Sequence, residues 1–158
     1  MTVSGSKNFE LNVTEYIEEA YERCGLELRS GYDLATAKRS MNLLFADWAN
    51  RGLNQWTVAE TITTLTKGVN FISPGADTID VLDAVLRRTN NGKTSDISMG
   101  MISRAEFLNI PSKETQARPN QYFLDKQINP KLYLWPTPDN STDQIVFNRL
   151  VRIDDADT

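Results

Sequence analysis

Apolar positions in the first third of the chain recur with helical spacing. Val13, Ile17, Ala20 and Cys24 step by 4-3-4 and gather on one helix face. Asn12 three residues before Glu15 predicts a capping-box start, with Asn in place of the usual Ser or Thr, and Gly25 suits a left-handed stop. A loop over residues 26–32 leads to Asp33, the predicted cap of a second helix. Its seam is Leu34, Ala37, Met41, Leu44 and Trp48; Lys38, Arg39 and Asn42 lie on the other side, and Gly52 ends it. Two helices joined by a short loop predict an antiparallel hairpin.

Beyond residue 56 the period changes. Residues 57–66 are rich in β-branched side chains, Lys67–Gly68 reads as a turn, and Val69 and Phe71 begin a return strand. Residues 78–88 form a long strand candidate with Ile79, Val81 and Val85 on one face and Leu82, Ala84 and Leu86 on the other, the mark of a doubly covered central strand. Asn90-Asn91-Gly92-Lys93 is the clearest hairpin signal, with residues 97–101 as the partner strand. Ser103 with Glu106 predicts a capped helix over residues 104–109, ended by Pro111. Residues 112–120 read as a polar loop. Strands follow at 121–125, 131–135 and 144–153, the last placing Ile145, Phe147, Val151 and Ile153 on one face interrupted by Arg149.

The predicted fold class is therefore α+β. An N-terminal antiparallel helical hairpin (12–56) packs with an antiparallel sheet of about six or seven strands (57–153) carrying one short inserted helix near 103–110. Residues 1–11 read as a flexible arm and 154–158 as an acidic end.

Composition narrows the function classes. The 158 residues suit one domain, or one domain with a small appendage. A net charge of −4 argues against a protein that grips nucleic acid through a broad basic face. The single cysteine, Cys24, excludes an intrachain disulfide and reads as a small buried hydrophobe on the first helix. The chain has no histidine, which removes Ser-His-Asp and Cys-His catalysis and the commonest metal ligand. No apolar run approaches the ~18 residues of a membrane span, and the polar start lacks a signal-peptide core. The expectation is a soluble protein made in a reducing cytoplasm, without membrane anchor or cofactor.

Searching for chemistry yields little. Gly92-Lys93-Thr94 has the letters of a phosphate loop, but Arg87 stands where the earlier glycine belongs, so a hairpin explains the run better. Asp80 and Asp83 differ in strand parity and are expected on opposite faces, poor geometry for a metal or an acid/base pair. Glu15, Glu18, Glu19 and Glu22 stripe the first helix, either as a solvated face or as partners for a neighbouring subunit's basic side chains. Tyr133 and Trp135 share a strand face opposite Leu132 and Leu134, suited to core packing, intersubunit contact or a ligand patch. Trp56 sits where helices and strands join.

Several runs together resemble the head-to-tail adaptors of short-tailed bacteriophages, a family also called tail tubular protein A or the portal-closing tail accessory factor. They are YERCGLELRSGYD (21–33), AKRSMNLL (37–44), WANRGLN (48–54), DTIDVLDA (77–84), ISRAEFLNIP (102–111) and LYLWPTP (132–138). The resemblance spans residues 12–153 and rests on the order and coverage of these runs. It implies a non-enzymatic ring, typically of about twelve copies, docked beneath the portal protein in the virion neck. Such a ring extends the DNA channel, lets genomic DNA pass without specific binding, and offers a platform to the tail nozzle and to tail fibres or spikes. An acidic balance suits a conduit that repels DNA. Members usually continue past the strand matching residues 144–153 into helices that pack on the first two, and this sequence ends at Thr158. The first two helices are thus expected to expose apolar seam unless the sheet or a neighbour covers it. Interface candidates are Lys38 and Arg39 on the helix, Trp56 at the joint, Asn90, Asn91 and Lys93 at the hairpin tip, and Tyr133 and Trp135. Two alternatives stand beside this reading: a carbohydrate-binding or cell-wall-active tail component using the aromatic β face, and a DNA-binding helical hairpin using Lys38, Arg39 and Arg51.

Overall fold

A computed structural model describes residues 12–27, 31–53 and 57–153. The chain is a mixture of helices and mainly antiparallel sheets, divided into two compact units: residues 1–53 with 153–158, and residues 54–152.

The first unit contains α1 (Val13–Arg23) and α2 (Gly31–Asn50), which touch one another. The capping box of α1 is formed. The amide of Glu15 donates to Asn12 Oδ1 at 2.9 Å, and the amide of Asn12 donates to Glu15 Oε2 at 2.9 Å. Ile17 is buried, but Cys24 is exposed, contrary to its reading as a small buried hydrophobe. The helix ends at Arg23, so Cys24 is its cap and its side chain leaves the apolar face as the chain turns at Gly25 (φ 71°). The second helix starts at Gly31, before the predicted cap. Asp33 instead occupies the first turn, where a carboxylate favours the positive helix end. The α2 seam remains largely uncovered: Leu34, Ala37 and Met41 are half-buried, while Leu44 and Trp48 are exposed.

The second unit is built from strands. A four-stranded antiparallel sheet has the order β1 (Val58–Thr64), β10 (Gln144–Val151), β3 (Thr78–Asn90), β4 (Lys93–Ser98). A second has the order β2 (Phe71–Ile72), β8 (Lys131–Trp135), β7 (Gln121–Asp125), β5 (Gly100–Met101), in which β5 pairs parallel to β7. Two short strands, β6 (Gln116–Ala117) and β9 (Thr137–Pro138), pair parallel inside segments predicted as loops. The short helix α3 (Arg104–Asn109) carries the predicted Ser103–Glu106 capping box. Leu65, Val81, Ala84, Leu86, Ile145 and Phe147 meet Tyr122, Leu124, Leu132 and Leu134 in one core, so the two larger sheets bury their inner faces against each other.

The single predicted sheet is thus corrected to two larger sheets and a short pair. The turn at Lys67–Gly68 does not fold the chain back on itself, because β1 pairs with β10 whereas β2 pairs with β8. Likewise, residues 97–101 are not one strand. The hairpin partner is β4; buried Met99, whose amide donates to the Ala84 carbonyl at 3.0 Å, then carries the chain across to β5. The predicted two-faced burial of β3 also gives way. Asp83 pairs with Asn148 and Val81 with Arg149, so Leu82 is an extra residue. That bulge shifts the alternation by one and brings Val81 onto the same buried face as Ala84 and Leu86, while Leu82 stays exposed. Asp80 and Asp83, expected on opposite faces, come by the same shift to the same one. No helix among the described residues is long and apolar enough to cross a membrane.

Candidate interaction surfaces

Strand β8 alternates as its sequence predicts: Leu132 and Leu134 enter the core, and Tyr133 and Trp135 take the opposite face, half-buried. That face is an aromatic layer. Tyr133 pairs across the sheet with Phe123 on one side and Phe71 on the other. Its ring centroid lies 6.2 Å from Phe123, 6.1 Å from Phe71 and 5.2 Å from Phe107, which α3 lays over the strands. Phe107 also stacks on Phe123 at 5.3 Å. Two lysines rim the layer, Lys131 Nζ 4.9 Å over Phe71 and Lys113 Nζ 5.5 Å over Phe107. Trp135 is anchored by its indole Nε1, which donates to the Ser112 carbonyl at 3.2 Å. The half-buried Tyr133 ring therefore packs against three other rings of the same chain.

Phe107 and Phe123 are not among the residues that the sequence pattern singles out, and Phe71 enters there only as the start of a return strand. The Phe123–Tyr133 pairing follows from the hairpin register of β7 and β8, but Phe107 needed the position of α3.

The hairpin tip is formed as predicted. Asn90 pairs with Lys93 across a two-residue turn at Asn91 (φ 49°) and Gly92 (φ 74°), the left-handed pair that Asn-Gly accepts. Asn90, Asn91 and Lys93 are all exposed at this tip. On α2, Lys38 is half-buried and Arg39 exposed, and neither forms an ion pair among the described residues. On α1, part of the acidic stripe is spent locally: Glu15 closes the capping box and Glu19 pairs with Arg23 at 2.8 Å. Trp56 lies outside the described residues. The predicted site residues thus fall on separate elements; Tyr133 and Trp135 share one face, and Asn90, Asn91 and Lys93 one turn.

Arg149, an apparent interruption of the β10 core face, is a hub. Its Nε donates to Thr61 Oγ1 at 3.0 Å, and its Nη1 donates to Thr78 Oγ1 at 3.0 Å and to Asp77 Oδ1. It ties β1, β10 and the start of β3 together. Asp143 is a buried carboxylate. Asn140 Nδ2 donates to its Oδ2 at 3.1 Å, and Arg88 Nε stands 3.5 Å from Oδ1 without forming a hydrogen bond. Among the described residues no group of three or more Cys, Asp or Glu side chains is arranged to hold a metal ion.

Among the described residues, three carboxylates are held below their usual range. For Asp77 the main cause is the hydrogen bond from Arg149, for Asp96 the one from Arg87, and for Glu106 the backbone amide of Ser103. A carboxylate with a depressed folded-state pKa contributes stability above its unfolded value, and loses that contribution as pH falls through the folded value. The thermal midpoint is therefore expected to hold near neutrality and to decline below about pH 4. Asp77→Asn should flatten part of that decline in a melting series across pH; an unchanged profile would show that the Arg149 link does not discriminate the charged form.

No protein-family model matches this chain, and no curated protein sequence does.

Proposed function

We propose that this chain acts by assembly and not by turnover: a head-to-tail adaptor of a short-tailed bacteriophage, one subunit of a ring between the portal and the tail nozzle. Fibres or spikes dock on the ring, and genomic DNA passes through its lumen. The observation that carries this reading is the convergence of two segments bearing the family resemblance. Residues 102–111 and 132–138 pack together, Phe107 against Tyr133, with Trp135 tied to the Ser112 carbonyl just beyond. The exposed α2 seam is a second support. At its C-terminal end Leu44 is 45% exposed and Trp48 39%, and Leu43 beside the seam is 67% exposed, apolar surface that favours burial by a neighbour. The aromatic β face gives less support to a sugar platform, because such a platform offers open ring faces and the Tyr133 ring is already packed.

The test is particle mass in solution. Mass photometry of the purified chain, alone and mixed with portal rings of a short-tailed phage, is expected to reveal a closed ring of about twelve copies that co-purifies with the portal. A chain that stays monomeric in both conditions, or that labels the virion away from the neck, would sink the reading.

A further inference from the structure

Asn91 is the only asparagine in the sequence that a glycine follows. The pair forms the two-residue turn between β3 and β4, with Asn91 at φ 49° and Gly92 at φ 74°. Both residues are exposed, and a Cβ built on Gly92 would meet no atom within 4 Å. The Gly92 amide carries no turn hydrogen bond among the described residues. No hydrogen bond among the described residues engages the Asn91 side chain either. By contrast, Asn12 caps α1, the Asn140 amide bridges Asp139 and Asp143, and Asn148 donates to Asp83 at 2.7 Å.

The turn sits at the end of an arm. β10 reaches β3 only as far as Arg87, opposite Gln144. Beyond that rung the pairs Arg88–Ser95, Thr89–Thr94 and Asn90–Lys93 join β3 to β4 alone, and residues 88–95 are exposed throughout. A short exposed ladder opens locally at far less cost than unfolding the unit. That opening matters for the chemistry. Attack by a backbone nitrogen on the preceding side chain needs a rotation of the Asn91 backbone that the closed left-handed turn resists. Once the arm opens, glycine sets no side chain in the path of the attack.

We infer that Asn91 is a spontaneous modification site, converted by water to aspartate and isoaspartate through a cyclic imide. The Gly92 amide nitrogen gives up its proton to solvent and bonds to the side-chain carbonyl carbon of Asn91. The bond from that carbon to the side-chain nitrogen breaks, and the nitrogen takes up a proton and leaves as ammonia. Water then adds to one imide carbonyl and reopens the ring. Opening at the side-chain carbonyl yields aspartate; opening at the main-chain carbonyl yields isoaspartate. Either product places a carboxylate beside Lys93 at the tip. Isoaspartate also lengthens the main chain inside a turn whose geometry is set by its two residues. The inference does not depend on the ring reading above.

The test incubates the full chain in mildly alkaline buffer, native and urea-unfolded, followed by peptide mass spectrometry that separates the two acid forms. In the native chain residue 91 is expected to convert ahead of Asn140 and Asn148, and Asn91→Gln should remove the signal. A second variant combines Cys24→Ser with Thr89→Cys and Thr94→Cys to staple the arm, since the two threonine Oγ1 atoms lie 3.3 Å apart across the ladder. Oxidised, it should convert at residue 91 more slowly by about tenfold or more. Reduced, it should regain the unstapled rate. A native chain that keeps Asn91 intact while the unfolded chain converts would overturn the site, as would conversion spread evenly over the asparagines. Equal rates in the oxidised and reduced staple would overturn the route through opening of the arm.

Discussion

Phe147→Ala is expected to destabilise the β unit by about 3–5 kcal/mol. Phe147 is 1% exposed, lies on β10 in the interior of its sheet, and faces small neighbours across both ladders: Thr61 on β1 and Ala84 on β3. Neither is long enough to fill the space the ring leaves. The loss therefore combines the transfer term with an unrelaxed cavity. For a unit of this size each kcal/mol moves the thermal midpoint by about 4–8 °C, and total stability is typically about 5–15 kcal/mol, so the variant stands close to unfolding. Ile62→Ala, on the half-exposed face of β1, should cost about 1 kcal/mol or less. Chemical denaturation checks both: the midpoint should fall steeply for Phe147→Ala with an unchanged slope. A loss under about 1 kcal/mol would show that the core repacks around the gap.

Gly75→Ala should be the most damaging glycine substitution in the described turns. Gly75 has φ 116°, and a Cβ there would stand 2.6 Å from Asp77 Oδ1 and 2.7 Å from Arg149 Nη1. The backbone conformation alone costs about 1–3 kcal/mol for a non-glycine residue. The added methyl must also push apart the Arg149–Asp77 pair, which loosens the hub joining β1, β3 and β10. Gly92→Ala at φ 74° meets no atom within 4 Å and should cost only the backbone part, about 1–2 kcal/mol. Thermal melts of the two variants separate the contributions. Gly75→Ala should fall further and should also lose part of the acid dependence assigned to Asp77. Equal losses with unchanged acid profiles would mean that Arg149 holds nothing in place.

The legible parts of this chain were those decided by residues a few positions apart. Asn12 with Glu15 and Ser103 with Glu106 capped the helices they predicted, because a capping box closes within one turn. Asn91-Gly92 produced its hairpin because the turn asks only for left-handed backbone at adjacent residues. The alternation of Leu132 and Leu134 against Tyr133 and Trp135 survived because β8 contains no bulge. The α2 seam was legible as a stripe, but not its exposure, since exposure depends on what else is present to cover it.

By itself, then, the sequence determined where α1 and α3 start, where the tight turn falls, and which side chains alternate along β8. Each follows from local backbone preference and side-chain period. Only the tertiary structure decided that β1 pairs with β10 and not with the segment after Lys67–Gly68, that Met99 carries the chain from one sheet to the other, and that an extra residue at Leu82 turns Asp80 and Asp83 to one side. It also decided that Arg149 on a core face is a hub and not a defect. Strand partners and bulges are chosen by the burial and hydrogen bonding of segments distant along the chain, and no local window contains both members of such a choice.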